Sequence, residues 1–278
     1  MTLSESVRQS RFQLVTVLLL ISGLYSTIVP GMVRQWYEDG NYSHGFLVPV
    51  IAGYFLYLRL DDLKNRRAAP SGLGLVVVVS ALVLLIVASL GMEYFTLRIS
   101  LVVLIAGMVI YFFGTDVFKA VRLPIFYLLF MAPLPYIVYD ALAFPLKLFV
   151  TRISVAFLKL IGIAVVREGN ILTFPEITLE VADACSGMRS LISLLAISTA
   201  FAFLLPANGL KRLFIILSAI PIAIACNAVR VIVTGILSQY WGKAAAEGFF
   251  HEFAGLAVFA CGVAMLLFLG AALNRKNS

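Results

Sequence analysis

The feature that most constrains this chain is a succession of apolar runs too long and too poor in charge for the core of a small soluble domain. Bounded by charges or turn residues, they cover Phe12–Val29, Gly45–Leu60, Gly72–Leu90, Leu101–Gly114, Val121–Leu134, Met188–Leu205, Leu213–Leu237 and Phe253–Leu273. A bilayer core takes about 20 helical residues to cross. Backbone polar groups there must be satisfied within the segment itself, so each run reads as helix. Eight crossings in 278 residues leave no room for a large soluble domain. Composition agrees: 62% of the residues are hydrophobic and 13% charged, against about 45–50% and about 25% in soluble domains. The expected fold is an all-α polytopic membrane protein forming a single domain over residues 1–278. It has about eight transmembrane helices, one interfacial amphipathic helix and a small extracytoplasmic β-hairpin. Disorder, coiled coil, collagen and a disulfide scaffold are excluded.

The first run follows Arg8 and Arg11, as in a signal peptide, but no A-x-A-like cleavage pattern comes after it, so a retained helix is expected. Residues 140–186 read as an extracytoplasmic insert. In Asp140–Ala164 the charges Lys147, Arg152 and Lys159 interrupt an apolar pattern, which suits a helix lying in the interface. In Val165–Ala182, Ile177, Leu179 and Val181 alternate with Glu176, Thr178 and Glu180 after a Glu168-Gly169-Asn170 turn, the pattern of a hairpin.

The net charge of +7 reflects cytoplasmic loops in such a protein, and no nucleic-acid partner is expected. With both termini cytoplasmic, Arg8, Arg11, Arg59, Lys64, Arg66, Arg67, Lys119, Arg122, Lys211, Arg212, Arg275 and Lys276 lie inside, 12 of the 21 Lys and Arg. That orientation obeys the positive-inside rule if Asp140–Ala164 does not cross.

Charges within spans are costly and need a reason. Arg230 lies inside the seventh run, Arg189 in the first turn of the sixth, and His251 heads the eighth. All three fall at the extracytoplasmic face, together with Cys185 at the start of the sixth run. Unpaired N–H groups and the helix dipole favour a thiolate at such a place. Cys185 and Arg189 are four apart and Asn227 and Arg230 three apart, spacings that share a helix face. A thiol nucleophile, a histidine acid or base and Arg or Asn donors for an oxyanion make a complete acyl-transfer set.

Plainer readings stand beside this one. Cys226 and Cys261 read as small buried hydrophobes, and Cys185 has the same option. Arg189 and Arg230 are also candidate phosphate clamps, and His251 a border residue. His44, the only other histidine, lies at the same face. Asp183 and Glu252 are candidate orienting carboxylates, and Asp183 is equally a helix cap. The three cysteines, Cys185, Cys226 and Cys261, are an odd number without metal-ligand spacing, so no disulfide framework, metal or cofactor is expected.

These residues resemble the exosortases, relatives of the archaeosortases. The resemblance rests on Ala182-Asp183-Ala184-Cys185-Ser186-Gly187-Met188-Arg189-Ser190-Leu191, on Asn227-Ala228-Val229-Arg230-Val231, on the His251 segment with Gly255, and on Tyr42-Ser43-His44-Gly45-Phe46-Leu47-Val48-Pro49. It implies a membrane cysteine peptidase or transpeptidase of the bacterial inner membrane, with Cys185, Arg230 and His251 as its catalytic set. It also implies the substrates: secreted proteins ending in a Pro-Glu-Pro-like motif, a membrane helix and a basic tail. The acceptor nucleophile stays open, as do the roles of Arg189 and His44 and the oligomeric state; membrane lipids are the other expected partners. The extra C-terminal domain of some exosortases is not expected, which leaves the subtype open. Two other classes remain. A transporter or lipid-linked sugar or phosphate binder would leave Cys185 passive and tolerate Cys185→Ser. A non-catalytic assembly partner would depend on no single polar residue.

Overall fold

A computed structural model describes residues 3–64, 66–175, 177–181, 187–242 and 249–275. The chain forms two compact units, Met1–Pro135 and Tyr136–Ser278.

The first unit contains helices α1 (Leu3–Gln9), α2 (Arg11–Leu24), α3 (Ile28–Glu38), α4 (Leu47–Tyr57), α5 (Leu60–Lys64), α6 (Leu73–Leu90), α7 (Tyr94–Phe113) and α8 (Thr115–Tyr127). Two 3-10 turns, Gly40–Phe46 and Leu128–Met131, complete it. α6 and α7 are the unit's long apolar pair. The Glu93 carboxylate caps α7 by accepting from the Phe95 and Thr96 N–H groups at 2.9 and 2.7 Å. Burial disfavours that carboxylate's charge, but the donors from Thr96 and Phe95 outweigh it and hold its pKa below the usual value. α2 and α3 form one broken element bent by 58°. At the break, buried Tyr25 packs with Leu85, Leu97 and Leu104 of the α6–α7 pair.

The second unit consists of α9 (Tyr136–Leu160), three short strands, α10 (Met188–Leu204), α11 (Gly209–Trp241) and α12 (Phe249–Arg275). Strands β1 (Val166–Glu168), β2 (Ile171–Thr173) and β3 (Thr178–Glu180) form an antiparallel sheet in sequence order. Gly169, with φ of 62°, makes the turn between β1 and β2 at the expected position. One face of the sheet is apolar: Leu172, Phe174, Ile177 and Val181 pack with Val150 and Leu158 of α9 and with Ala228 and Val231 of α11. Thr178 and Glu180 are exposed, as their alternation with Ile177 and Val181 requires. The expected hairpin is thus a three-stranded sheet, because Ile177–Val181 returns along β2 after Phe174.

Among the described residues, five helices are long and apolar enough to cross a membrane, or six if the α2–α3 pair is one broken span. This corrects the count of eight. Gly45–Leu60 falls short because Gly40–Phe46 is a 3-10 turn and α4 has only 11 residues. Val121–Leu134 is split between the 13-residue α8 and the second 3-10 turn. α10 has 17 residues and is a shorter apolar helix.

The segment expected to lie in the interface is helical and part of a longer element. Asp140–Ala164 belongs to the 25-residue α9, which meets the length and composition of a span. Of its interrupting charges, Lys147 is buried inside the unit while Arg152 and Lys159 reach the helix surface. Long basic side chains on an apolar helix keep their heads polar while their stems stay apolar, so their presence does not prevent a span.

Candidate functional site

The sequence-expected residues are distributed over both units. Cys185 and Asp183 lie outside the described residues. Asn227 and Arg230 lie on α11, Arg189 on α10 and His251 on the first turn of α12. His44 belongs to the Gly40–Phe46 turn of the first unit.

α10 starts at Met188, and Gly187 before it is left-handed, with φ of 84°. Arg189 therefore stands in the first turn of α10, as expected. Arg189 is exposed. Gly187 has two requirements at once. Its φ suits glycine, and a Cβ there would sit 2.8 Å from Asn227 Nδ2. Any side chain at 187 would therefore push the amide of Asn227 away from the start of α10. Asn227 is only 2% exposed.

One turn along α11, Arg230 meets the other flanking helix. A Cβ on Gly255 would lie 3.2 Å from Arg230 Nη2 and 3.3 Å from its Cζ, so the guanidinium rests directly on the α12 backbone. Gly255 lies four residues, about one helical turn, after His251 in the sequence of α12. α11 therefore carries two polar groups, one seated on the residue two after Cys185 and one seated a turn from His251. The sequence reading missed the steric role of these glycines. Their signal was present in the quoted motifs, since a small residue opposite a large polar one permits close approach.

The apolar sheet fixes the rotation of α11. Ala228 and Val231 face it, and the Phe174 ring would come within 3.0 Å of a Cβ on Gly235. With that face committed to the sheet, and about 100° of turn per residue, Asn227 falls at its border and Arg230 beyond it. Ser154 Oγ also donates to the Ala228 carbonyl at 3.3 Å, tying α9 to the same stretch.

β3 leads from the sheet toward residues 182–186. Val181 N–H donates to Asn170 O and Phe174 N–H to Ile177 O, at 2.9 and 2.8 Å. In an antiparallel ladder this phase turns the N–H and C=O groups of Thr178 and Glu180 away from β2, toward the outer edge.

The histidine block of the first unit has a packing explanation. Gly45 lies against the indole of Trp36 where a Cβ would overlap it, and Trp36 Nε1 donates to Met131 O at 2.9 Å. Buried Tyr42 donates to Leu134 O at 3.3 Å. The block thus ties the 3-10 turn to residues 131–134, and His44 is half-buried within it.

Of the cysteines read as buried hydrophobes, Cys226 is buried in a cluster with Leu194 and Leu266, whereas Cys261 is exposed on α12. Among the described residues no group of three or more His, Cys, Asp or Glu is placed to hold a metal ion.

No curated protein and no solved structure gives a significant match to the chain. The family model described as transmembrane exosortase (Exosortase_EpsH) matches residues 36–269, which include Gly45, Asn227, Arg230 and Gly255. The chain belongs to the transmembrane exosortase family.

Proposed function

We propose that this protein is a membrane-embedded cysteine peptidase and transpeptidase acting on the C-terminal sorting signal of secreted proteins. The observation that supports the reading best is the double seating of α11: Asn227 on Gly187 and Arg230 on Gly255. Those contacts hold the start of α10 and the first turns of α12 against one stretch of α11; in sequence Cys185 stands two residues before Gly187, and His251 four before Gly255.

In this mechanism the Cys185 thiolate attacks the carbonyl carbon of the scissile peptide. The carbonyl oxygen takes the negative charge, and the Arg230 guanidinium, aided by the Asn227 amide, stabilises it. His251 gives its proton to the leaving amine as the C–N bond breaks, which leaves a thioester on Cys185. The neutral imidazole then takes a proton from the acceptor as its nucleophile attacks the thioester, and the thiolate is released. An amine or hydroxyl acceptor gives transpeptidation; water gives hydrolysis. The edge of β3, with the outward backbone groups of Thr178 and Glu180, suits an extended substrate segment added as a further strand. The site faces the extracytoplasmic side in this reading.

The test follows processing of a reporter carrying the tripartite signal in membranes. Cys185→Ala is expected to abolish processing, and Cys185→Ser to lower it by on the order of 10³-fold. Wild type is expected to give a covalent Cys185–substrate adduct detectable by mass spectrometry, and His251→Ala, which lacks the proton for the leaving amine, to form less of it. Normal processing by Cys185→Ala overturns the proposal.

A further inference from the structure

The first unit holds a second polar group for which the peptidase reading has no use. Arg98 lies on α7, one turn after Tyr94, and is only 8% exposed. Among the described residues it takes part in no ion pair within 4.0 Å and no side-chain hydrogen bond. Its compensation is distant: the Tyr94 ring at 6.0 Å from Cζ, and the electrostatic attraction of the Glu93 carboxylate. A buried guanidinium with so little compensation is costly unless an anion completes it.

Arg98 lines a cavity of about 700 Å³ bounded by the α2–α3 break and by α6 and α7. Beside it stand Gln35 and Tyr94. The rest of the wall is chiefly apolar, including Leu24, Ile28, Leu85 and Leu97. The volume falls in the range of small-molecule sites, and apolar walls with a few convergent polar groups are their usual chemistry. At 1.5 Å of rise per residue, Arg98 sits about 6 Å below Tyr94 along α7. A tyrosine near the end of an apolar span marks the membrane interface, so Arg98 lies where a headgroup meets its acyl chains.

We propose that this cavity binds one anionic phospholipid, its phosphate held by Arg98 and an acyl chain lying along the apolar wall beneath the α2–α3 bend. Charge complementarity selects the anion, and the apolar lining selects a lipid over a soluble phosphate. The site belongs wholly to the first unit and does not depend on the peptidase reading.

The protein in detergent is titrated with dioleoyl phosphatidylglycerol, and lipid retention is read by native mass spectrometry, with phosphatidylcholine and inorganic phosphate as separate arms. Wild type is expected to retain one phosphatidylglycerol, with phosphatidylcholine bound about tenfold more weakly or less. Arg98→Gln is expected to lose that preference and Arg98→Lys to keep part of it. Gly31→Leu is the decisive variant. Gly31 lines the cavity, and nothing lies within 4 Å of a Cβ there, so leucine fills the space without a clash and favours the helix. It is expected to lose the lipid with Arg98 intact. Equal retention by wild type and Gly31→Leu overturns the proposal, since the lipid is then merely annular. Displacement by inorganic phosphate at matched concentration also overturns it, as does a dimer in wild type that Gly31→Leu abolishes.

Discussion

Two arginines within apolar helices, Arg98 in the first unit and Arg230 in the second, are treated in opposite ways by the chain around them. Arg230, half-buried, is seated against a helix: Gly255 presents bare backbone to its guanidinium, and the sheet holds α11 in rotation. Arg98 is left facing a cavity of about 700 Å³ under a helix break. The helices differ to match. The second unit runs 25, 33 and 27 residues in α9, α11 and α12, with Pro145 and Pro221 inside the first two. The first unit bends by 58° between α2 and α3, and its α4 and α8 are short. A confined guanidinium suits a developing oxyanion, because a fixed charge needs no reorganisation during reaction. One that faces space suits a ligand that brings its own anion.

The sharpest break of this contrast is a pair of substitutions. Arg230→Gln is expected to lower kcat/KM for signal processing by about 10²–10³-fold, the usual loss for one oxyanion donor. Arg230→Lys should fall nearly as far, because an ammonium lacks the planar fork. Arg98→Gln should leave processing within about twofold by the same assay, as surface-independent sites do. Equal losses at both positions would erase the distinction.

Gly187→Ala comes next. The left-handed conformation costs a side-chain-bearing residue about 1–2 kcal/mol, and the added carbon overlaps Asn227 Nδ2 at 2.8 Å. Stability and processing should both drop, and Asn227→Ala in the same chain should recover only the steric part. A double-mutant cycle on thermal unfolding measures that coupling, and purely additive losses would show that Gly187 serves the turn alone.

Gly255→Ala is expected to be milder. Its Cβ meets the flexible end of Arg230 at 3.2 Å, so the guanidinium shifts by a few tenths of an ångström. About a tenfold loss in kcat is expected, with KM nearly unchanged, since displacement of an oxyanion donor acts on the transition state.

Much of the second unit was legible in sequence, and particular residues show why. The α11 and α12 runs are long and uninterrupted, and the alternation around Thr178 and Glu180 gave the strand and its buried face. The first unit was less legible because apolar run length does not register helix breaks. Gly45–Leu60 reads as a span, yet Gly45 and Phe46 belong to a 3-10 turn in which Gly45 meets Trp36. Lys147 misled in the other direction: it suggested an interface, whereas packing buries it in α9. The motif glycines were visible as letters, but what each one faces is a tertiary fact. Arg98 carried no motif at all; only its burial beside a cavity sets it apart from the exposed Arg34 on α3.

The smallest effect tests what holds the first unit's bend in place. The Ser100 hydroxyl directs its proton to Leu97 O at 2.7 Å, so the Tyr25 hydroxyl donates to Ser100 Oγ at 2.8 Å. Tyr25 sits at the break between α2 and α3 and Ser100 on α7, two residues beyond Arg98. Tyr25→Phe keeps the ring's packing with Leu85 and Leu97 and deletes only that bond, which should cost about 1 kcal/mol in thermal unfolding. Ser100 retains its bond to Leu97 O, so no buried donor is stranded and the loss should not grow beyond that. If the bond also fixes the bend that roofs the cavity, phosphatidylglycerol retention should weaken by a few-fold while processing stays unchanged. A loss of processing with lipid retention intact would show that the bend serves the second unit's chemistry instead, and the contrast between the two arginines would have to be redrawn.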